Sequence, residues 1–298
     1  MKMKKTMFVI AVFTLAILST LYRSRTDVNA STTNREWKKN NNKYGSAKQL
    51  KSKSAFIILY VNDKDSSWTE KRKSDMKKKL RHSIEFIKKS AKEYGASPEL
   101  IADVYDGKEY SDLSYNIKSD ISFTDKENDT DKMYKKVKSY INKHVKLRKI
   151  RNKYKTDSIG FLVLLNKSGV CHTHVHVASN GKKDFYECSM LFDKYDSRQE
   201  GASTYAHEML HLFGARDLYT VSYGDGITKR FIKYVKKHFP REIMLTTLSK
   251  GKVQLKYKIT NKVSRITAFF LGWKKNIPEK DRFYLYAPKP RGTWDMSV

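Results

Sequence analysis

The sequence predicts an α+β fold, and three observations carry that prediction. Two compact apolar runs, 55–61 (AFIILYV) and 158–165 (SIGFLVLL), are too short for helices and end in polar residues, as buried strands do. Two longer stretches, 68–94 and 130–154, space their apolar residues three or four apart between lysines, the pattern of a helix with one buried face. Asn180-Gly181, flanked by 171–178 and 183–190, is a strong hairpin signal.

The first strand closes at Asn62-Asp63. In the helix that follows, Trp68, Met76, Leu80, Ile84, Ile87 and Ala91 form the apolar stripe, and Gly95 stops it. Residues 100–105 are a short strand candidate. The polar stretch 107–129 reads as a loop holding at most one edge strand. The second helix has Met133, Val137, Tyr140, Ile141, Val145 and Leu147 as its apolar positions. No internal repeat is present.

Charge and the N-terminal residues bound the setting. The 298 residues carry 61 Lys and Arg against 31 Asp and Glu, a formal net charge of +30. Such a balance means either a solvated lysine-rich surface or attraction to a polyanion, such as an anionic cell-surface polymer or membrane surface. The basic residues are spread along the chain without a nucleic-acid signature, so no specific nucleic-acid recognition is expected. Lys2, Lys4 and Lys5 precede an uncharged apolar run, 7–22, and Val28-Asn29-Ala30 has the small-residue pattern of a cleavage site. Residues 1–30 are therefore expected to be a signal peptide or, given Arg23 and Arg25, an uncut N-terminal anchor. Either reading makes the chain secreted or otherwise extracytoplasmic. Residues 31–54 are Asn-, Lys- and Ser-rich and read as a flexible basic tether before a single domain over 55–298.

The two cysteines, Cys171 and Cys188, fall on the two arms of the hairpin. With Asn180-Gly181 as the turn, Cys171 faces Met190 and Thr173 faces Cys188, a diagonal too long for an unstrained disulfide. A four-residue loop or a bulge would bring the cysteines opposite, so a Cys171–Cys188 bond depends on register.

The chemistry is concentrated in His207-Glu208-Met209-Leu210-His211. Histidines four apart on a helix project from one face and can take two positions of a tetrahedral Zn2+. Glu208 is not needed as a ligand and stands where it can take a proton from a metal-bound water. Gly214 lets the chain turn after the helix, so that Asp217 can swing back as third ligand. Two imidazoles and one carboxylate leave a fourth position open, which is the catalytic pattern. The run His172-Thr173-His174-Val175-His176 puts three imidazoles on one strand face. They are edge-strand histidines, substrate-facing groups or part of a second metal site, and no carboxylate or thiol clearly completes such a site. Tyr219 follows Asp217 closely, but as one of 19 tyrosines it is not assigned to the site.

The segment from His207 to Asp217 resembles the extended zinc motif of the metzincin peptidases. Most metzincins have His at the last position; Asp217 is similar to the snapalysin-like branch instead. Glu242-Ile243-Met244-Leu245 looks like the family's methionine turn, with Met244 as its residue. The resemblance implies a zincin-like twisted mixed sheet with a backing helix and an active-site helix above the cleft. An upper part at about 55–213 would be followed by a small irregular lower part at about 214–298, holding the methionine turn and a helix. It also implies a zinc metalloendopeptidase acting on a protein or peptide substrate, here expected to be a monomer. The segment 107–154 departs from the plan by adding a helix. Without catalysis, the remaining reading is an exported basic protein that binds anionic polymer and carries an inert zinc site.

Overall fold

Every strand at the centre of this chain has to bury both of its faces. A computed structural model describes residues 49–156, 158–175, 186–222 and 226–281. The expected signal segment, most of the tether, Asn180-Gly181 and His176 lie outside the described residues. Packing begins inside the stretch read as tether: Leu50 is fully buried, and its carbonyl accepts the Trp273 indole N–H at 2.7 Å.

Strands β1 (Ser54–Asn62), β4 (Ile159–Ser168) and β6 (Cys188–Tyr195) run parallel side by side. One edge of β1 is shared by β2 (Leu100–Ile101) and β3 (Ser114–Lys118), both parallel to it. On the far edge β5 (His172–His174) runs antiparallel to β6, and β7 (Arg198–Gln199) extends that end of β6. The result is an α+β chain with a mixed sheet. The expected strand at 100–105 is cut to two residues because β3 takes over the β1 edge from Ile58 onward.

Side chains alternate strictly between the two faces. Phe56, Ile58, Tyr60, Leu162, Leu164 and Leu191 pack beneath helices α1 (Glu70–Lys92) and α4 (Ala202–His211). Their strand neighbours Ile57, Leu59, Val61, Phe161, Val163 and Met190 pack under α2 (Glu127–His144) and α3 (Leu147–Tyr154) on the other side. That is why β1 and β4 read as unbroken apolar runs rather than as alternating ones. It also gives the segment 107–154 its place, since α2 and α3 close the back of the sheet. The expected single helix over 130–154 is two helices, separated by an extended Val145. The bend returns Ile150 and Tyr154 to the sheet.

Helix α1 is capped by Thr69, whose hydroxyl accepts from Arg72 N–H at 3.3 Å. It is also tied to β6 by charge. Lys79 is fully buried and donates to Asp193 Oδ1 at 2.7 Å, while Arg72 reaches Asp193 Oδ2 at 3.0 Å. A buried carboxylate needs such partners to offset its desolvation. After α4 the described chain is largely irregular, with helices α5 (Lys229–His238) and α6 (Arg265–Phe270). Phe231, Val235, Ile266 and Phe270 from these helices join the same core as α1 and α4.

The disulfide expectation is corrected. His172 pairs with Met190 and His174 with Cys188, one residue off the register set by an Asn180-Gly181 turn. Both cysteines are free. The Cys171 thiol instead accepts from Phe192 N–H at 3.3 Å, four residues along β6 from Cys188. No helix among the described residues is long and apolar enough to cross a membrane.

Candidate metal centre

Helix α4 starts where two backbone segments nearly touch. A Cβ on Gly201 would lie 2.4 Å from the Leu255 carbonyl oxygen, so only glycine fits at this N-cap. His207 and His211 close the helix one turn apart. Gly214 then adopts a left-handed φ of 95°, which reverses the chain and delivers Ala215 and Asp217 back against the two rings.

Each ring is fixed from behind. His207 Nδ1 lies 3.0 Å from the Ile243 carbonyl oxygen, and His211 Nδ1 lies 2.9 Å from that of Ala215. A carbonyl can only accept, so in both rings Nδ1 carries the proton and Nε2 presents its lone pair forward. The two Nε2 atoms are 3.1 Å apart. Asp217 Oδ1 stands 3.1 Å from His207 Nε2 and 3.2 Å from His211 Nε2. Three acceptor atoms thus converge, and Asp217 Oδ1 is buried without a hydrogen-bond donor. Such an arrangement calls for a cation. Among the described residues this is the one group of His, Cys, Asp or Glu side chains disposed to hold a metal ion.

Its electrostatics agree. Burial works to lower the His211 pKa, but the Asp217 carboxylate outweighs it and pushes the ring up to about 9. Burial likewise works to raise the Asp217 carboxyl, and the two histidines more than offset this, holding it well below the usual carboxylate range. In the metal-free protein this raised His211 pKa favours a proton where a cation would otherwise sit.

Glu208 points away from the carbonyl network that holds the histidines. The Thr173 hydroxyl, on edge strand β5, donates to Glu208 Oε2 at 2.7 Å. Ser189 on β6 sits 2.8 Å from the Thr173 hydroxyl and donates to the Glu208 carbonyl at 3.2 Å. The residues around the histidines of β5 therefore divide by face. His174 stacks on Tyr134 of α2, with ring centroids 4.2 Å apart, and His172 Nδ1 lies 3.0 Å from the Val170 carbonyl oxygen. Neither histidine joins the cluster. Thr173 between them turns the other way and meets Glu208. Sequence reasoning missed it, although strand alternation alone sends Thr173 to the opposite face from its neighbours.

Met244 is fully buried on a tight turn, closed by Leu245 N–H to the Glu242 carbonyl at 3.1 Å. The turn serves the site twice. Ile243 supplies the carbonyl that orients His207, and the Met244 carbonyl accepts Leu218 N–H at 2.9 Å, next to Asp217. Beneath it the buried Glu242 carboxylate accepts from Met244 N–H at 3.2 Å and from the Thr267 hydroxyl at 3.0 Å, and also from Ser264 N–H. Tyr219, left unassigned from sequence, stands over this centre with its ring 6.2 Å from that of His207. Partial desolvation of its hydroxyl, with the Asp217 and Glu208 charges, pushes its phenol pKa upward, although the residue as a whole is 53% exposed.

His207, Glu208 and Tyr219 line one open cavity of about 270 Å3. No family model matches the chain, and no curated protein or solved structure is similar enough to count as a match.

Proposed function

We propose that the chain is a zinc-dependent endopeptidase of the metzincin kind, with Asp217 in place of the usual third histidine. The observation that carries this reading is the convergence of His207 Nε2, His211 Nε2 and Asp217 Oδ1 at separations of 3.1, 3.1 and 3.2 Å. A tetrahedral zinc with bonds of about 2.0–2.1 Å spaces its ligand atoms about 3.3 Å apart, close to what the side chains already adopt. The order of elements supports the same reading: a mixed sheet with an antiparallel edge strand, helices α1 and α4 on one face, and a buried methionine turn.

Zinc bound by these three residues would acidify a coordinated water and polarise the scissile carbonyl. Glu208 accepts the proton of the attacking water and returns it to the leaving amine. Thr173 fixes the carboxylate rotamer for both transfers. The Tyr219 hydroxyl donates to the oxygen that gains negative charge. The carbonyls of Ile243 and Ala215 keep both imidazoles in the metal-binding tautomer.

The test compares wild type, Glu208→Ala and Asp217→Ala on an unstructured protein substrate, with metal analysis of each. Glu208→Ala should keep its zinc and lose nearly all cleavage, while Asp217→Ala should lose the metal. Full activity of Glu208→Ala, or wild-type cleavage unaffected by a chelator, overturns the mechanism.

A further inference from the structure

The cavity beside the metal centre does not end at Glu208. It runs along α4 toward the N-terminal end of the helix, where Thr204 and Glu200 line it. Thr204 and Glu208 are one turn apart and so share a face of α4, and Glu200, just before the extended N-cap Gly201, is joined to that face through Thr204. The chain as a whole carries a formal charge of +30, yet this cavity is lined by two carboxylates, Glu200 and Glu208, and by no Lys or Arg.

The Glu200 carboxylate is held in place. Its Oε2 accepts from the Thr204 hydroxyl at 2.6 Å and from Gln254 Nε2 at 3.1 Å, and Gln254 also donates to Thr204 at 2.6 Å. The close approach of Leu255 to Gly201 is what brings Gln254 within reach. Tyr195, Leu245 and Val170 supply apolar wall for the methylenes of a long side chain.

We propose that this cavity receives a lysine or arginine side chain of the substrate, and that Glu200 at its far end selects it by pairing with the cationic head. The proposal rests on the hydrolytic reading of the site and names its substrate class: peptides with a basic residue beside the scissile bond. A long stem is needed to reach past Glu208 and Thr204 to Glu200, and a cation is needed to match a fixed, partly desolvated carboxylate. Burial pushes the Glu200 carboxyl up, against the hydrogen bonds of Thr204 and Gly201 and the charge of Lys79, so an entering cation also relieves a desolvated group.

The experiment uses matched peptides carrying lysine or norleucine, which has the same chain length without the ammonium, at the residue beside the bond cut in an unstructured protein. Wild type should cleave the lysine peptide at least tenfold more efficiently, and Glu200→Gln, which keeps an acceptor for Thr204, should bring the ratio close to one. A second arm measures binding of the same peptides to the zinc-loaded Glu208→Gln chain by fluorescence anisotropy, with and without Glu200→Gln. Lysine-selective binding without cleavage by wild type would retain the cavity assignment and defeat the hydrolytic reading. Cleavage without lysine preference, or a preference that survives Glu200→Gln, would overturn the cavity assignment alone. Neither binding nor cleavage would overturn both.

Discussion

The Thr173 hydroxyl donates to Glu208 Oε2 at 2.7 Å, joining the edge strand of the sheet to the carboxylate that moves the proton in the proposed reaction. A hydrogen bond to a charged group contributes about 1.5–3 kcal/mol, and this one fixes the direction of the carboxylate. Thr173→Val keeps the shape and removes the donor. It should lower kcat by about tenfold or more, with KM and zinc content little changed. Thr173→Ser should restore most of the loss. Equal kcat for Thr173→Val and wild type would show that the contact does not position the base.

The raised His211 pKa gives a second prediction, with a definite sign. His211 is raised from an ordinary value of 6.5 to about 9 by Asp217. In the metal-free protein this contribution to stability is fully present below pH 6.5 and is lost as pH rises through about 9. Denaturant titrations of chelated protein across that window should show the decline, and zinc-loaded protein should not. Zinc uptake near neutral pH should release a proton, readable by calorimetry in buffers of different ionisation enthalpy. Buffer-independent heats would sink this account.

Glu242 provides a third. Its buried carboxylate accepts from Met244 N–H, Ser264 N–H and the Thr267 hydroxyl, none of which has water to turn to. Glu242→Ala should destabilise the fold by about 3 kcal/mol or more. It should also weaken zinc binding, because the turn that carries the Ile243 carbonyl loses its anchor. A destabilised variant with unchanged zinc affinity would separate the turn from the metal centre.

What was legible in the sequence was what depends on local spacing. Two histidines four apart, a glycine able to reverse the chain and a carboxylate three residues later meet in space because one helix and one turn suffice to bring them together. The buried strands β1 and β4 were legible in their compact apolar runs. Thr173, Ser189 and Glu242 were not legible, because their partners lie 16 to 35 residues away and depend on pairing that no local pattern dictates. Register was the weakest inference. One residue of slip between β5 and β6 sets Cys188 against His174 instead of Thr173 and separates the cysteines. Because side chains alternate with period two, a slip of that size changes every cross-strand partner.

Strand β5 is only three residues long, and both of its faces are engaged. His174 rests on Tyr134 of the back layer while Thr173 grips Glu208 in front. Adjacent residues of one short strand thus connect the two faces of the sheet. Helix α2, which contributes no atom to the metal centre, is expected to govern its alignment, so that a ligand or mutation acting on the back of the molecule would be felt as a change in turnover at the front.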